Sequence, residues 1–547
     1  MKKTKMLSLA LIGLISLGLA SCGQSNTKVS KNTENPKVVA SQQKTDKQIT
    51  STKEVKIKDG GTMIFVSSSD PTVLNPYYQN NRITFTVNNA LFNPLFVIDG
   101  DNIRYYLAEK VDVLKDNLTY RVKLKDNLKW HDGKKITVDD IIFSINAALD
   151  KKQHMAARDS FIIDGKPIEL KKIDDLTLEI KLPKIYVPFM ETLGSIRPIP
   201  KHIFEGVNDI EKSDKNNNPI GSGPYKLKEW KKGEYIALER FDDYYNGKPH
   251  IKEIVYRIAG DKNSQKIAFE NGEINAMYIG EKTFNKYSKD SRFKTYTYDE
   301  CMPNYLGFNF KNKYLRKKEI RQAICYAIDK KKLLKSSFSS LENVKDAYSV
   351  FPPSTLYYTD DVEHYNYNLE KAKELMKKSG VSNIKLKFIY MASSPLDINQ
   401  MSSIQEDLKK IGIEVQPVPL EAQAFYDQLF NESARNFDLV INAYVCGTDP
   451  DSYSELFTEN GSENWFSYAN KDLDKLWDKG AIETNPSKRR EIYETIQKKL
   501  AEDAVQFNIN YSTTCIAISS NIGGVEEAKT VPIFMFEDLS KLYFIEK

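Results

Sequence analysis

The clearest alternation of apolar and polar positions lies in the second half of the chain. Ile320, Ala323, Ile324, Ala327 and Ile328 recur at the three- and four-residue spacing of one helical face, which predicts a helix over 319–334. Asn368 stands where an N-cap is expected, ahead of Leu369, Ala372, Leu375 and Met376, and Gly380 follows as a stop. Residues 384–391, 413–418 and 437–444 read as strands, with a helix over about 397–411 between the first two. Strand–helix–strand at these lengths favours right-handed crossovers and a parallel sheet. Thr137-Val138-Asp139-Asp140, ahead of Ile141, Ile142 and Ile145, resembles a capping box opening another helix. No repeat of 20–50 residues is present, so the expected class is α/β (mixed α+β) with several subdomains.

The N-terminus follows a different pattern. Lys2, Lys3 and Lys5 precede an apolar run from Met6 to Leu19, which as a helix spans about 21 Å, short of the roughly 30 Å hydrocarbon core. It reads as a signal-peptide core rather than a permanent span. The run ends in Leu19-Ala20-Ser21-Cys22-Gly23, which resembles a bacterial lipobox. That resemblance implies cleavage before Cys22 and lipidation there. Residues 22–53 are Ser, Asn, Gln, Thr and Lys without apolar period, the composition of a flexible tether. The expected product is an anchored soluble protein.

Composition sharpens this picture. With 547 residues, 41% of them apolar, the chain can bury a large core. Only the leader is apolar enough to meet lipid, which excludes a polytopic transporter. Of the net charge of +5, the leader supplies three and residues 22–53 a further four (six Lys against Glu34 and Asp46), so the remainder is two units negative. A basic nucleic-acid footprint on the body is therefore not expected. Cys301, Cys325, Cys446 and Cys515 are widely separated, with no CxxC pair; buried thiols and disulfides both remain open.

Catalytic chemistry is hard to find. No HExxH, GxSxG or Walker A string occurs, and the five His (131, 154, 202, 250, 364) lack Cys or His partners at ligand spacing, reading as solvated loop or helix-end residues. Neither a catalytic residue nor a metal site nor a cofactor is expected, and any ATP hydrolysis belongs to another chain. Asp449-Pro450-Asp451, after the apolar run 437–444, falls at an expected strand carboxyl end, where open α/β sheets bind ligands. The same string is also ordinary turn chemistry.

Several blocks, in order, resemble the extracytoplasmic solute-binding proteins of family 5, the oligopeptide, dipeptide and nickel receptors of bacterial ABC importers. They are Gly60-Gly61-Thr62, Leu74-Asn75-Pro76, Leu118 to Asp126 with Trp130-His131-Asp132-Gly133, and Gly221-Ser222-Gly223-Pro224-Tyr225. Asp70-Pro71, Leu91 to Phe96, Thr137 to Ile141, Glu239-Arg240-Phe241 with Tyr244-Tyr245, Ile320-Arg321-Gln322-Ala323, Ala327-Ile328-Asp329 and Asp449-Pro450-Asp451 complete the set. The resemblance implies two lobes closing over a cleft. Lobe one would comprise 54–92, 215–308 and 509–547, an extra subdomain 93–214, and lobe two 309–508, with 1–21 as leader and 22–53 as tether. The Trp130–Gly133 block marks membership and reads as packing and a loop closure, not as a site.

The implied activity is capture of peptides outside the membrane and delivery to a permease with separate ATPase subunits, by a monomer anchored at Cys22. Family peptide binders pair the ligand ammonium with an Asp shortly before the acidic-Pro pair. Here that stretch reads Tyr444-Val445-Cys446-Gly447-Thr448 and has no Asp. Either Asp449 or Asp451 takes the role, or the ligand N-terminus is held less tightly. Tyr444 falls where the family often has a cleft Trp. Tyr305 and Asn304 match a contact region at the lobe crossing, and Arg82 follows the Leu-Asn-Pro block on the lobe-one wall. Alternative ligands are nickel, haem or an oligosaccharide; the alternative of another class is a surface lipoprotein hydrolase.

Overall fold

The computed structural model describes residues 56–546 apart from 80 and 101. The leader, Cys22 and the tether lie outside the described residues.

The molecule is organised by one eleven-stranded mixed sheet. Along it run Tyr225–Lys231, Tyr235–Arg240, Glu253–Ile258, Thr62–Ser67, Ala276–Ile279, Gln506–Ser519, Phe293–Phe308, Leu439–Ala443, Ile384–Met391 and Ile413–Leu420, with Lys345–Asp346 paired to the side of Gln506–Ser519. The two longest strands, Phe293–Phe308 and Gln506–Ser519, pair antiparallel and serve both lobes. Their lobe-one portion joins Thr295 to Ala517; their lobe-two portion joins Leu306 to Phe507 and borders Leu439–Ala443. Between these portions the register shifts over residues 299–303, and Cys301 takes φ 56°. This is a bulge, one strand carrying extra residues that kink the ladder where the chain passes between lobes.

Lobe two matches the alternation read from the sequence. Ile384–Met391 pairs parallel with Ile413–Leu420 and with Leu439–Ala443. The helix between the first two spans Pro395–Lys409, its Ser394 N-cap accepting from the Asp397 amide. Asn368 caps Leu369–Ser379, and Gly380 closes it at φ 67°, where a Cβ would be strained. The helix expected over 319–334 is in fact two, Lys318–Ala327 and Lys330–Ser337. Ile328 leaves the helical region at φ −82°, ψ 117° while remaining buried, and Asp329 caps the second helix through the Lys332 amide. Apolar spacing alone cannot see this break, because Ile328 is inward in either conformation.

Period-two alternation places the crossing strand between two cores. Leu306 and Phe308 enter one with Ile320, Ile324 and Phe388. Tyr305 enters the other with Tyr444, Trp465 and Tyr453.

The extra subdomain is a four-stranded antiparallel sheet, in spatial order Ala108–Val113, Thr119–Leu124, Thr177–Lys181 and Glu169–Lys172. Against it packs the helix Val138–Leu149, whose capping box joins Thr137 and Asp140. It shares one core with lobe one, in which Trp130 is fully buried. His131, expected in solvent, is instead a staple: its Nδ1 accepts from the Gly221 amide at 3.0 Å and its Nε2 donates to the Gly223 carbonyl at 3.1 Å. Burial pushes the imidazole down to about 4, so it is neutral there. A Cβ at Gly221 or Gly223 would collide with the Leu91 or Ala90 carbonyl. Two sequence blocks that lie 90 residues apart are thus one packing joint.

Among the described residues the four cysteines are free, Cys325 and Cys515 buried, Cys301 and Cys446 half-buried.

Candidate ligand-binding site

The residues singled out from the sequence gather around the crossing strands and the loop beyond Leu439–Ala443. Arg82 opens the helix Arg82–Leu91, capped by Asn81. Its guanidinium reaches Glu300 at 3.2 Å and the Tyr278 hydroxyl at 3.3 Å, with its carbon 5.2 Å from the Tyr278 ring centre, and the side chain stays about a quarter exposed. Asn304, half-buried, donates to the Ser512 hydroxyl across the paired strands at 2.8 Å. Tyr305 is fully buried, its hydroxyl accepting from the Trp465 indole at 2.9 Å, its ring 5.2 Å from that of Tyr444. Tyr444 donates to the Val350 carbonyl at 2.8 Å and accepts from Gln506 at 3.0 Å. Both tyrosines therefore form an aromatic wall with satisfied hydroxyls.

Asp449 and Asp451, left as alternatives for a ligand ammonium, both have internal partners. Asp449 faces Arg489 in a fork, with both oxygen–nitrogen distances 2.8 Å, and caps the turn Pro450–Tyr453 through the Asp451 amide. Arg489 projects from the helix Pro486–Glu502, and its Nε donates to the Gly480 carbonyl at 2.9 Å. Asp451 accepts from the Tyr493 hydroxyl at 3.0 Å and the Tyr186 hydroxyl at 3.2 Å. Burial, then the neighbouring Asp449, push its carboxyl up to about 7.

The same loop touches the extra subdomain. Glu191, in the helix Phe189–Ser195, accepts from the Thr448 amide at 2.7 Å, the Asp449 amide at 2.9 Å and the Thr448 hydroxyl at 3.1 Å. Burial pushes its carboxyl up, against the pull of those donors. Gly447 permits this approach, since a Cβ there would lie 2.5 Å from the Glu191 carboxylate. The Val187 amide adds a bond to the Ala481 carbonyl at 2.8 Å. On the other flank, Glu281 accepts from the Ser340 amide at 3.1 Å and the Ser339 hydroxyl at 3.3 Å.

Glu191, Arg489 and Glu281 escaped the sequence reading. Their partners lie 257, 40 and 59 residues away, and no local pattern separates them from surface charges. The only local hint was Gly447 beside the acidic string.

Among the described residues there is no group of three or more His, Cys, Asp or Glu placed to hold a metal, and no helix long and apolar enough to cross a membrane.

Two lobes on a shared sheet, meeting at polar seams beside an aromatic wall, define a bilobed binding protein of the periplasmic-binding-protein type. The chain belongs to the bacterial extracellular solute-binding proteins of family 5, whose middle-region profile matches residues 102–465. It is 28% identical to the oligopeptide-binding protein AppA of Bacillus subtilis (strain 168), over 100% of this chain and 98% of that one. Among solved structures it resembles the ABC-transporter substrate-binding protein CtaP of Listeria monocytogenes, at 42% identity and TM-score 0.86, covering 89% of this chain and 100% of that one. It also resembles Bacillus subtilis AppA solved in complex with a nonapeptide, at 27% identity and TM-score 0.74, covering 90% and 100% respectively.

Proposed function

We propose that this protein is the peptide-capturing lipoprotein of an ABC importer, binding oligopeptides outside the membrane by lobe closure and handing them to a permease with separate ATPase subunits. The observation that carries this reading is the end-to-end similarity to an oligopeptide-binding relative, supported by the likeness to a structure solved with a nonapeptide. In this reading lobe one is 54–92, 215–308 and 509–547, the extra subdomain 93–214, and lobe two 309–508. A ligand stabilises the closed arrangement only through its higher affinity for that state. Main-chain pairing with strand backbone gives affinity without reading side-chain sequence. Arg82 and Asn304, the partly exposed members of the candidate set, face the ligand. Tyr305 and Tyr444 form the wall behind it, and Asp449 and Asp451 hold the loop in shape. The protein binds and does not hydrolyse its ligand, and Cys22 carries the lipid anchor.

Native mass spectrometry of protein purified without denaturation tests the ligand class. The expected result is a ladder of adducts that fragments into amino acids. A single discrete adduct, metal or sugar, would overturn the peptide assignment, and turnover of fluorogenic peptides would overturn the binding role. For the anchor, Cys22→Ala is expected to abolish incorporation of a labelled fatty acid; retained incorporation would refute it.

A further inference from the structure

Tyr305 and Leu306, successive on the crossing strand, point to opposite faces of the lobe-two sheet, and each face carries its own layer of helices. Lys318–Ala327, Lys330–Ser337, Leu369–Ser379 and Pro395–Lys409 bury Ile320, Leu333, Ala372 and Ile404 in the core of Leu306. These helices carry eleven Lys and Arg against six acids, and the entering turn 311–317 adds four cations and no acid. The opposite layer, Ala422–Phe430, Lys471–Ile482 and Pro486–Glu502, packs Phe425, Trp477 and Ile496 into the core of Tyr305. It carries eight cations against seven acids. A body that is two units negative overall thus concentrates positive charge on one side of one lobe.

Much of that charge is left open. Some of it ties the helices of the layer together: Lys332 reaches Glu406 and Asp407, Lys410 reaches Asp407, and Lys371 donates to the Tyr326 hydroxyl. Lys313, Lys331, Lys335, Lys377, Lys378 and Lys409, by contrast, are exposed and stand in no ion pair among the described residues. Of the fully exposed acids on the same helices, Glu370 and Glu406 pair with Lys373 and Lys332, which leaves Glu374. Tyr367, 44% exposed just ahead of Leu369–Ser379, has the Lys410 ammonium 6.0 Å from its ring centre. Ile398 is the other large apolar side chain exposed on this layer.

Hydrated ammonium groups on long flexible stems suit a diffuse array of phosphates better than a shaped partner. Tyr367 and Ile398 offer too little apolar surface for the core of a protein interface, whereas a Tyr beside Lys is a pairing of the membrane–water boundary. A polybasic patch is also the usual second signal that makes a lipid anchor firm. Anchoring at Cys22 keeps the body beside a bilayer, since the 34 residues from there to residue 56 span at most about 120 Å fully extended. We infer that this basic layer of lobe two docks onto the headgroups of an anionic membrane and gives the anchored protein a preferred orientation. The inference rests on the anchoring read at Cys22 and is independent of the ligand class.

The test is amine labelling of the intact lipoprotein on vesicles, read lysine by lysine by mass spectrometry. Phosphatidylcholine vesicles are compared with vesicles rich in phosphatidylglycerol. On the acidic vesicles Lys331, Lys335, Lys377 and Lys378 should label at least about fivefold more slowly, while Lys479 and Lys488 of the opposite layer keep their rate. In about 1 M salt, where the screening length falls to about 3 Å, the protection should vanish. Lys331→Glu combined with Lys335→Glu, both at exposed positions, should remove the protection of Lys377 and Lys378. Equal rates on the two kinds of vesicle, or equal slowing of both layers, overturns the inference. Slowing that requires an added protein and ignores lipid charge overturns it as well, and gives the face to a protein partner. Protein that washes off neutral vesicles in salt would instead refute the anchor, and the contrast between layers on acidic vesicles still decides the docking.

Discussion

Two of the polar joints made by the extra subdomain contrast in construction. The first binds the extra subdomain to lobe one through neutral His131, between the Gly221 amide and the Gly223 carbonyl. The second binds the subdomain to lobe two through Glu191, the loop 447–451 and Arg489. One is uncharged and enclosed by backbone with no room to move. The other is built from carboxylates, hydroxyls and one guanidinium. An uncharged joint made to backbone owes nothing to ionisation, whereas a joint of carboxylates and a guanidinium depends on every charged partner staying in place.

The largest expected effect separates charge from shape in the second joint. Arg489→Met strands Asp449 in the interior, and unfolding of lobe two should become easier by about 3–5 kcal/mol in chemical denaturation. A loss under about 1 kcal/mol would show that Asp449 is solvated in practice. Next comes the first joint: Gly221→Ala should cost about 3 kcal/mol, because the displaced neighbour is the Leu91 backbone rather than a flexible side chain.

The pH dependence then sets the joints against each other. His131 has a folded value near 4, below the 6.5 of the free imidazole. The unfolded chain therefore binds the extra proton, and this contribution is complete above 6.5 and lost as pH falls toward 4, by about 3 kcal/mol. Asp451 has the opposite sign: held up near 7, it favours the native state when protonated, and that contribution is lost as pH rises from 3.8 through 7. Thermal melts of wild type and His131→Gln across pH 4–7 should converge at the acid end. The smallest effect is Asp451→Asn, expected to raise stability at pH 8 by about 1 kcal/mol and by clearly less at pH 4. Loss at both values would mean the two tyrosine bonds matter more than the charge.

Much of lobe two was legible in the sequence because its signals are local. Ile384–Met391 is set by alternation and the helix Leu369–Ser379 by its Asn368 and Gly380 caps, and in the extra subdomain Thr137 with Asp140 does the same for Val138–Leu149. The break at Ile328–Asp329 was not, since a buried Ile satisfies either continuation. The candidate site was legible as a neighbourhood: Tyr305, Tyr444 and the acidic loop do gather beside the crossing strands. Its charges were not legible, because whether an Asp or Glu is free depends on partners such as Arg489 and Glu191 that only the assembled chain brings near.

The bulged pair of long strands makes the lobes parts of one hydrogen-bonded plate rather than two bodies on loose strings. Such a plate deforms by torsion, and the torsion concentrates at the fault over residues 299–303, where the ladder is interrupted. In the proposed lobe closure, that fault is where the bending falls. For the proposed importer, the same fault then sets how the outer faces of the two lobes turn relative to one another.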